Sequence, residues 1–100
     1  MLEVLQSATF EKWFKNLKDS QARARIDARV RRLSLGNQGD AKSLRDGVSE
    51  LRIDTGPGYR VYFTQRGALV VLLLCGGDKG TQDKDIERAI ILAKEWTLWR

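Results

Sequence analysis

Histidine is absent from the 100 residues. That removes the side chain that titrates nearest neutrality, the commonest metal ligand and the base of a serine-hydrolase triad. Cysteine occurs once, at position 75, so no disulfide framework is available and a zinc site lacks its ligands. The expectation is a protein without metal or cofactor. Cys75 lies inside an apolar run, which predicts a core residue in a reducing cytoplasm. Proline also occurs once, and no low-complexity tract or internal repeat is visible. The longest apolar run, Leu69 to Cys75, is seven residues, too short to span a bilayer. The opening MLEVLQSATF lacks the basic start and apolar stretch of a secretory signal. The chain is therefore expected to be cytoplasmic, with no membrane partner.

What the chain does hold is positive charge. Eighteen Lys and Arg against thirteen Asp and Glu give a net charge of +5 and a pI of about 9.7. Small basic proteins commonly meet nucleic acid, the ribosome or an acidic protein; the plainer alternative is a basic but idle surface. A hydrophobic content of 42% supports a globular fold, read as one domain over residues 1–100. A chain this size buries about 60–65% of its unfolded surface, so its core is modest.

Periodicity supplies the elements. Glu3 to Leu5 reads as a short strand. Ser7 or Thr9 can cap a helix carrying Phe10, Trp13, Phe14 and Leu17. Asp19 or Ser20 can cap a second helix to about Leu35, with Ala22, Ile26, Val30 and Leu33 on one stripe and Gly36 and Asn37 ending it. Residues 36–47 read as a polar loop. Two alternating strands follow, joined by Gly56-Pro57-Gly58. In the first, Leu51 and Ile53 oppose Glu50, Arg52 and Asp54; in the second, Tyr59, Val61 and Phe63 oppose Arg60 and Tyr62. Arg66-Gly67 signals a hairpin, and Leu69 to Cys75 should form a strand covered on both faces. It empties into a glycine-rich corner, GGDKG. From about Asp83 a helix carries Ile86, Ala89, Ile90, Ala93 and Trp96 inward, with acidic residues suiting its N-terminal dipole. Trp96 and Trp99 either finish the core or offer a partner contact. The order is β-α-α-β-β-β-α: an α+β fold with a small, mostly antiparallel sheet packed against helices.

Candidate chemistry rests on cations. Arg52 and Arg60 fall on the polar faces of neighbouring strands, and Lys79 emerges after the buried strand beside them. Such a cluster binds a phosphodiester and stabilises charge developing on its oxygens. A salt bridge from Arg60 to Glu50 or Asp54 is the competing explanation. GGDKG does not match a phosphate-binding loop, although a nest of backbone N–H groups there could hold a phosphate. Asp78, Asp83 and Asp85 are better explained by a helix start than by a cation site. Tyr59 and Tyr62 read first as strand-pairing residues. On the second helix, Arg25, Arg29 and Arg32 share a face, either as solvated surface or as a dock for RNA or an acidic partner.

FEKWFKNLKD, ARARIDARVRRLSLGNQGDAKSL, GVSELRIDTGPGYRVYF and LLLCGGDKGTQDKDIERA resemble, in that order, the RelE/ParE toxin superfamily. The chain is most similar to the addiction-module killer proteins, HigB-like host-inhibition toxins and a phage Gp49-like family. The resemblance spans nearly the whole chain and implies the same RelE-like β-α-α-β-β-β-α fold. It implies a type II toxin paired with a helix-turn-helix antitoxin, acting as a ribosome-dependent endoribonuclease on mRNA without metal. Arg60 in GYRVYF matches the family's strand arginine at the scissile phosphate. Lys79 falls where the family keeps a basic residue after its last strand, and Arg52 in ELRI is a weaker match. Lys42, Arg45, Arg25, Arg29, Arg32 and Tyr62 would supply RNA or ribosome affinity. One departure is the lack of tyrosine or histidine in residues 83–100; Tyr62, Asp78 or Asp85 substitutes, or the basic cluster acts alone. ParE-type relatives inhibit DNA gyrase with the same fold, and a non-toxic phage-derived binding module is a third reading.

Overall fold

In a computed structural model, described for residues 2–99 and for side chains through residue 96, a five-stranded mixed sheet carries helices on both faces. The elements are β1 (Glu3–Gln6), α1 (Ala8–Lys15), α2 (Ser20–Ser34), β2 (Ala41–Ser43), β3 (Val48–Ile53), β4 (Tyr59–Arg66), β5 (Val70–Asp78) and α3 (Gln82–Trp99). The sheet order is β1-β5-β4-β3-β2, with β1 parallel to β5 and every other pair antiparallel. This is a RelE-like α+β arrangement.

The caps fall on short polar side chains. Ser7 Oγ accepts from the Phe10 N–H at 3.0 Å, and Asp19 accepts from the Ala22 N–H at 3.0 Å. Gly36, at φ 90°, follows α2 in the left-handed region that glycine tolerates best. Ser7 also donates to the Leu74 carbonyl at 2.5 Å, which ties the start of α1 to β5.

Alternation along the strands builds two cores. Leu51, Ile53, Val61, Phe63, Val71 and Leu73 face α1 and α2 and close on Phe10, Ile26 and Leu33. Val48, Tyr62, Leu72, Leu74 and Cys75 face the other way, beneath Ala89, Ile90 and Ala93 of α3. Trp96 packs at the edge of this second cluster, as the core reading expected; the side chain of Trp99 lies outside the described residues. β5 lies between β1 and β4 and is buried from Val71 to Gly76, as its unbroken apolar run required.

Two expectations are corrected. The stretch 36–47 is not all loop, because Ala41–Ser43 pairs with Ser49–Leu51 as an edge strand. Three residues are too few for a period-two pattern to register. Nor does the chain turn at Gly76, since β5 continues to Asp78. A Cβ on Gly76 would stand 2.3 Å from Trp13 Cε3, and one on Gly77 would stand 1.8 Å from Asp85 Oδ2. Glycine is needed there to let neighbouring elements close on the strand, and the extended path is kept.

Candidate anion-binding site

α3 covers only part of its face of the sheet, and the uncovered end carries the charge. Cross-strand partners share a face, so the register defines the site. Lys42 stands opposite Glu50, Glu50 opposite Tyr62, and Tyr62 opposite Cys75. One step along, Arg52 stands opposite Arg60, and Arg60 opposite Gly77. A one-residue irregularity between Tyr62 and Phe63 shifts the register with β5, so that Phe63 stands opposite Leu73 but Tyr62 opposite Cys75.

Glu50 lies at the centre and is wholly inaccessible to solvent. Its Oε1 accepts from Arg52 Nε at 3.2 Å and pairs with Arg60 Nε at 3.8 Å; its Oε2 accepts from Gln82 Nε2 at 2.8 Å. A carboxylate taken out of water is tolerated only with such partners. The Arg60 side chain is 13% exposed, and its Nη1 donates to the Gly58 and Tyr59 carbonyls at 3.2 and 3.3 Å. Arg52 is more open, at 39%. Gly58, at φ 81°, has Arg60 Nη1 and Lys79 Cβ each 3.5 Å from where its own Cβ would stand. The turn thus brings Lys79, exposed in the short 3-10 turn before α3, to the side of Arg60.

The site residues therefore separate. Arg52, Arg60, Lys79 and Lys42 share the open face. Arg25 and Arg32 are exposed on α2, the helix on the other side of the sheet, and line a shallow depression with Arg29, Arg52 and Asp54. Arg29 does something else: it donates to the carbonyls of Arg52 (2.6 Å), Asp40 (3.0 Å) and Gln38 (3.2 Å), binding α2 to the start of β2 and the end of β3. Its place in a solvated arginine ridge is thereby corrected. Arg45 pairs with Glu87 of α3 at 2.7 Å on an exposed surface, an interaction of about 0–1 kcal/mol.

Tyr62 is the clearest reversal. Its side chain is fully buried, so it cannot touch RNA. Among the described residues its hydroxyl meets no acceptor in hydrogen-bonding geometry, with the Glu50 carboxylate its strongest charged influence. Burial, reinforced by the Glu50 carboxylate, pushes its ionisation well above the ordinary tyrosine range, which also removes it as a proton acceptor. Burial likewise pushes the Cys75 thiol up to about 12, as a core cysteine requires. The anticipated backbone nest at GGDKG is closed from within. Asp78 accepts from the Gly80 N–H at 2.8 Å, and the Asp78 N–H donates to Thr81 Oγ1 at 3.2 Å. Asp85 remains: half-buried above Gly77, it accepts from the Thr81 hydroxyl at 2.5 Å. The Arg60–Glu50 pair is the salt bridge offered as the competing explanation for Arg60, and it is present. The part of Gln82, and Arg52 sharing the same carboxylate, were not anticipated. The available signal was Glu50-Leu51-Arg52, which places an acid and a base on one side of a strand.

Fold and site together define a small basic protein of the RelE-like α+β class, with paired arginines over a buried carboxylate. The chain belongs to the family described as phage-derived protein Gp49-like (DUF891), which it matches over residues 12–96. This family is related to the RelE-like toxins. An uncharacterized protein of Haemophilus influenzae strain Rd is 52% identical over 94 residues, covering 94% of this chain and 95% of the relative. Among the described residues no helix is long and apolar enough to cross a membrane.

Proposed function

We propose that this protein is the toxin of a type II toxin–antitoxin system, a HigB-like endoribonuclease that cuts mRNA on the ribosome in the cytoplasm. Its cognate partner would be a small helix-turn-helix antitoxin. The observation that carries the reading is the in-register pair Arg52 and Arg60, with Lys79 beside Arg60 at the open end of the sheet. Family membership supports it independently.

The chemistry needs no metal. The 2′-hydroxyl oxygen of the RNA forms a bond to the adjacent phosphorus, the P–O5′ bond breaks, and a 2′,3′-cyclic phosphate and a 5′-hydroxyl result. Arg60 stabilises the charge that builds on the phosphoryl oxygens, and Arg52 holds the backbone. Lys79 serves a phosphate oxygen or delivers the proton to the leaving O5′. Asp85 is the carboxylate best placed to take the 2′-hydroxyl proton, because it stands over Gly77, directly across from Arg60. Lys42, Arg25 and Arg32 supply longer-range attraction to RNA. The log of affinity should accordingly fall with log salt, by about 0.7 per neutralised phosphate on single-stranded RNA.

Primer extension on an mRNA in cell-free translation, with and without ribosomes, tests the reading. Cuts confined to translated message are expected, and Arg60→Ala should reduce them about 100-fold or more while the protein stays folded. Intact mRNA with normal protein synthesis would discard the nuclease and turn attention to DNA gyrase.

A further inference from the structure

Both arginines turn Nε, the nitrogen nearest the chain, toward Glu50 rather than their Nη tips. Arg52 Nε donates to Oε1 at 3.2 Å, whereas Arg60 Nε stands 3.8 Å away as an ion pair and, among the described residues, makes no hydrogen bond. Among the described residues the Nη groups of Arg52 meet no protein acceptor, whereas Nη1 of Arg60 is turned back to the Gly58 and Tyr59 carbonyls. Arginines at directly opposite positions on neighbouring strands repel, and the carboxylate between them offsets that repulsion. Glu50 has no exposure, so it cannot itself reach a bound phosphate. Gln82, the first residue of α3, holds the other carboxylate oxygen and so fixes which way the carboxylate faces.

We infer that Glu50 is a positioning residue for anion recognition: a buried carboxylate that clamps Arg52 and Arg60 by their Nε groups and aims their outer edges together at one phosphodiester, with Gln82 as its latch. The inference deepens the ribonuclease reading and rests on it for the identity of the substrate. It runs against simple electrostatics, which is what makes it testable. Glu50 removes one negative charge's worth of attraction from the site, so replacing it with a neutral side chain makes the cluster more cationic. Binding of a polyanion should then hold or tighten, while the geometry that stabilises the transition state is lost. A misplacement of about 1 Å can cost about 100-fold in rate.

The variant is Glu50→Gln, which keeps the size of the side chain and an acceptor oxygen. Three quantities are read on the whole protein: affinity for a single-stranded oligodeoxynucleotide, which lacks the attacking 2′-hydroxyl; the rate of mRNA cutting on ribosomes; and the Nε–Hε signals of Arg52 and Arg60 in nitrogen-15 NMR spectra. The expected result is affinity equal to or above wild type, cutting reduced about 100-fold, and both signals moved to the position of exposed arginines. Wild-type cutting, or cutting and binding lost in equal proportion by a folded protein, would overturn the inference. Should Glu50→Gln not fold, Gln82→Ala leaves the ion pairs in place and should give the same split at smaller amplitude; an unchanged ratio of binding to cutting would count against the clamp. The two readings fail differently. Uncut mRNA with the wild-type protein would sink the ribonuclease, whereas arginine signals unmoved in Glu50→Gln would sink the clamp whatever the substrate.

Discussion

The two faces of the sheet are made from the same strands by opposite rules. Toward α1 and α2 every buried strand residue is apolar. Toward α3 the same strands turn Glu50, Arg52, Arg60, Tyr62 and Thr64, so one half closes on Ala89, Ile90 and Ala93 while the other stays open and charged. The first face holds the protein together. The second divides its length between holding α3 and presenting cations, and the buried Glu50 marks the boundary. An ordinary two-sided core would have no reason to place a carboxylate out of reach of water.

The sharpest way to break this comparison is to damage the fully apolar face. Phe63→Ala should cost about 3–5 kcal/mol, from lost burial and the cavity left against α1 and α2. That is a large part of the roughly 5–15 kcal/mol that holds a domain of ordinary stability. Urea denaturation measures it, and a loss below about 1 kcal/mol would mean that this face is not the principal core. Next in size is Gly76→Ala, whose added methyl group would meet the Trp13 ring. Overpacking of this kind costs about 1–3 kcal/mol, seen as a lowered urea midpoint. Gly77→Ala meets instead the carboxylate end of Asp85, which can move, so its stability loss should be the smaller of the two and its effect on RNA cutting the larger.

The apolar face was legible in the sequence and the charged one only partly. Phe10, Ile26, Leu33, Leu51, Ile53, Val61 and Phe63 announce themselves because period-two and helical spacing converge on one side of each element. Caps at Ser7 and Asp19 follow from local chemistry alone. Arg52, Arg60 and Lys79 could be placed near one another, since strand alternation and chain order fix their side. Periodicity could not say how far α3 reaches across the polar face, and that reach decides that Glu50 and Tyr62 are buried while Arg52 is open. Nor could it show Arg29 leaving its helical ridge, because its three acceptors are backbone carbonyls contributed by other segments. A three-residue edge strand and two glycines kept within a strand are likewise decided by tertiary contacts rather than by local pattern.

A smaller effect separates the faces by pH. The Cys75 thiol and the Tyr62 phenol both lie beneath α3, and burial raises both above the values they take in an unfolded chain, 9.0 and 10.0. Below pH 9 both groups are protonated in the folded and unfolded states and make no pH-dependent difference. As the pH rises beyond 9 the unfolded chain releases protons that the folded one keeps, so stability falls, and it goes on falling toward about 12. Melting temperatures at pH 7, 9, 10 and 11 should therefore decline over the last three. A flat profile would mean that neither group is shielded by α3.

Tyr62→Phe should have the least effect near neutrality, and it is the finest test of how the charged face is built. Replacing a buried hydroxyl usually costs about 0.5–1.5 kcal/mol when a hydrogen bond is lost. Here, among the described residues, the hydroxyl meets no acceptor in hydrogen-bonding geometry, although the Glu50 carboxylate is near enough to raise its ionisation. The ring keeps its packing against Leu72, Leu74 and Ala89, and an unpaired polar atom is removed, so the change should lie within about 0.5 kcal/mol of zero and can be favourable. The alkaline decline above pH 10 should become shallower in the same variant, because one of its two sources is gone. A loss of about 2 kcal/mol at pH 7 would mean that the hydroxyl donates to Glu50 in solution. Glu50 would then accept three hydrogen bonds rather than two, and the tyrosine would belong to the cationic site instead of to the core beneath α3.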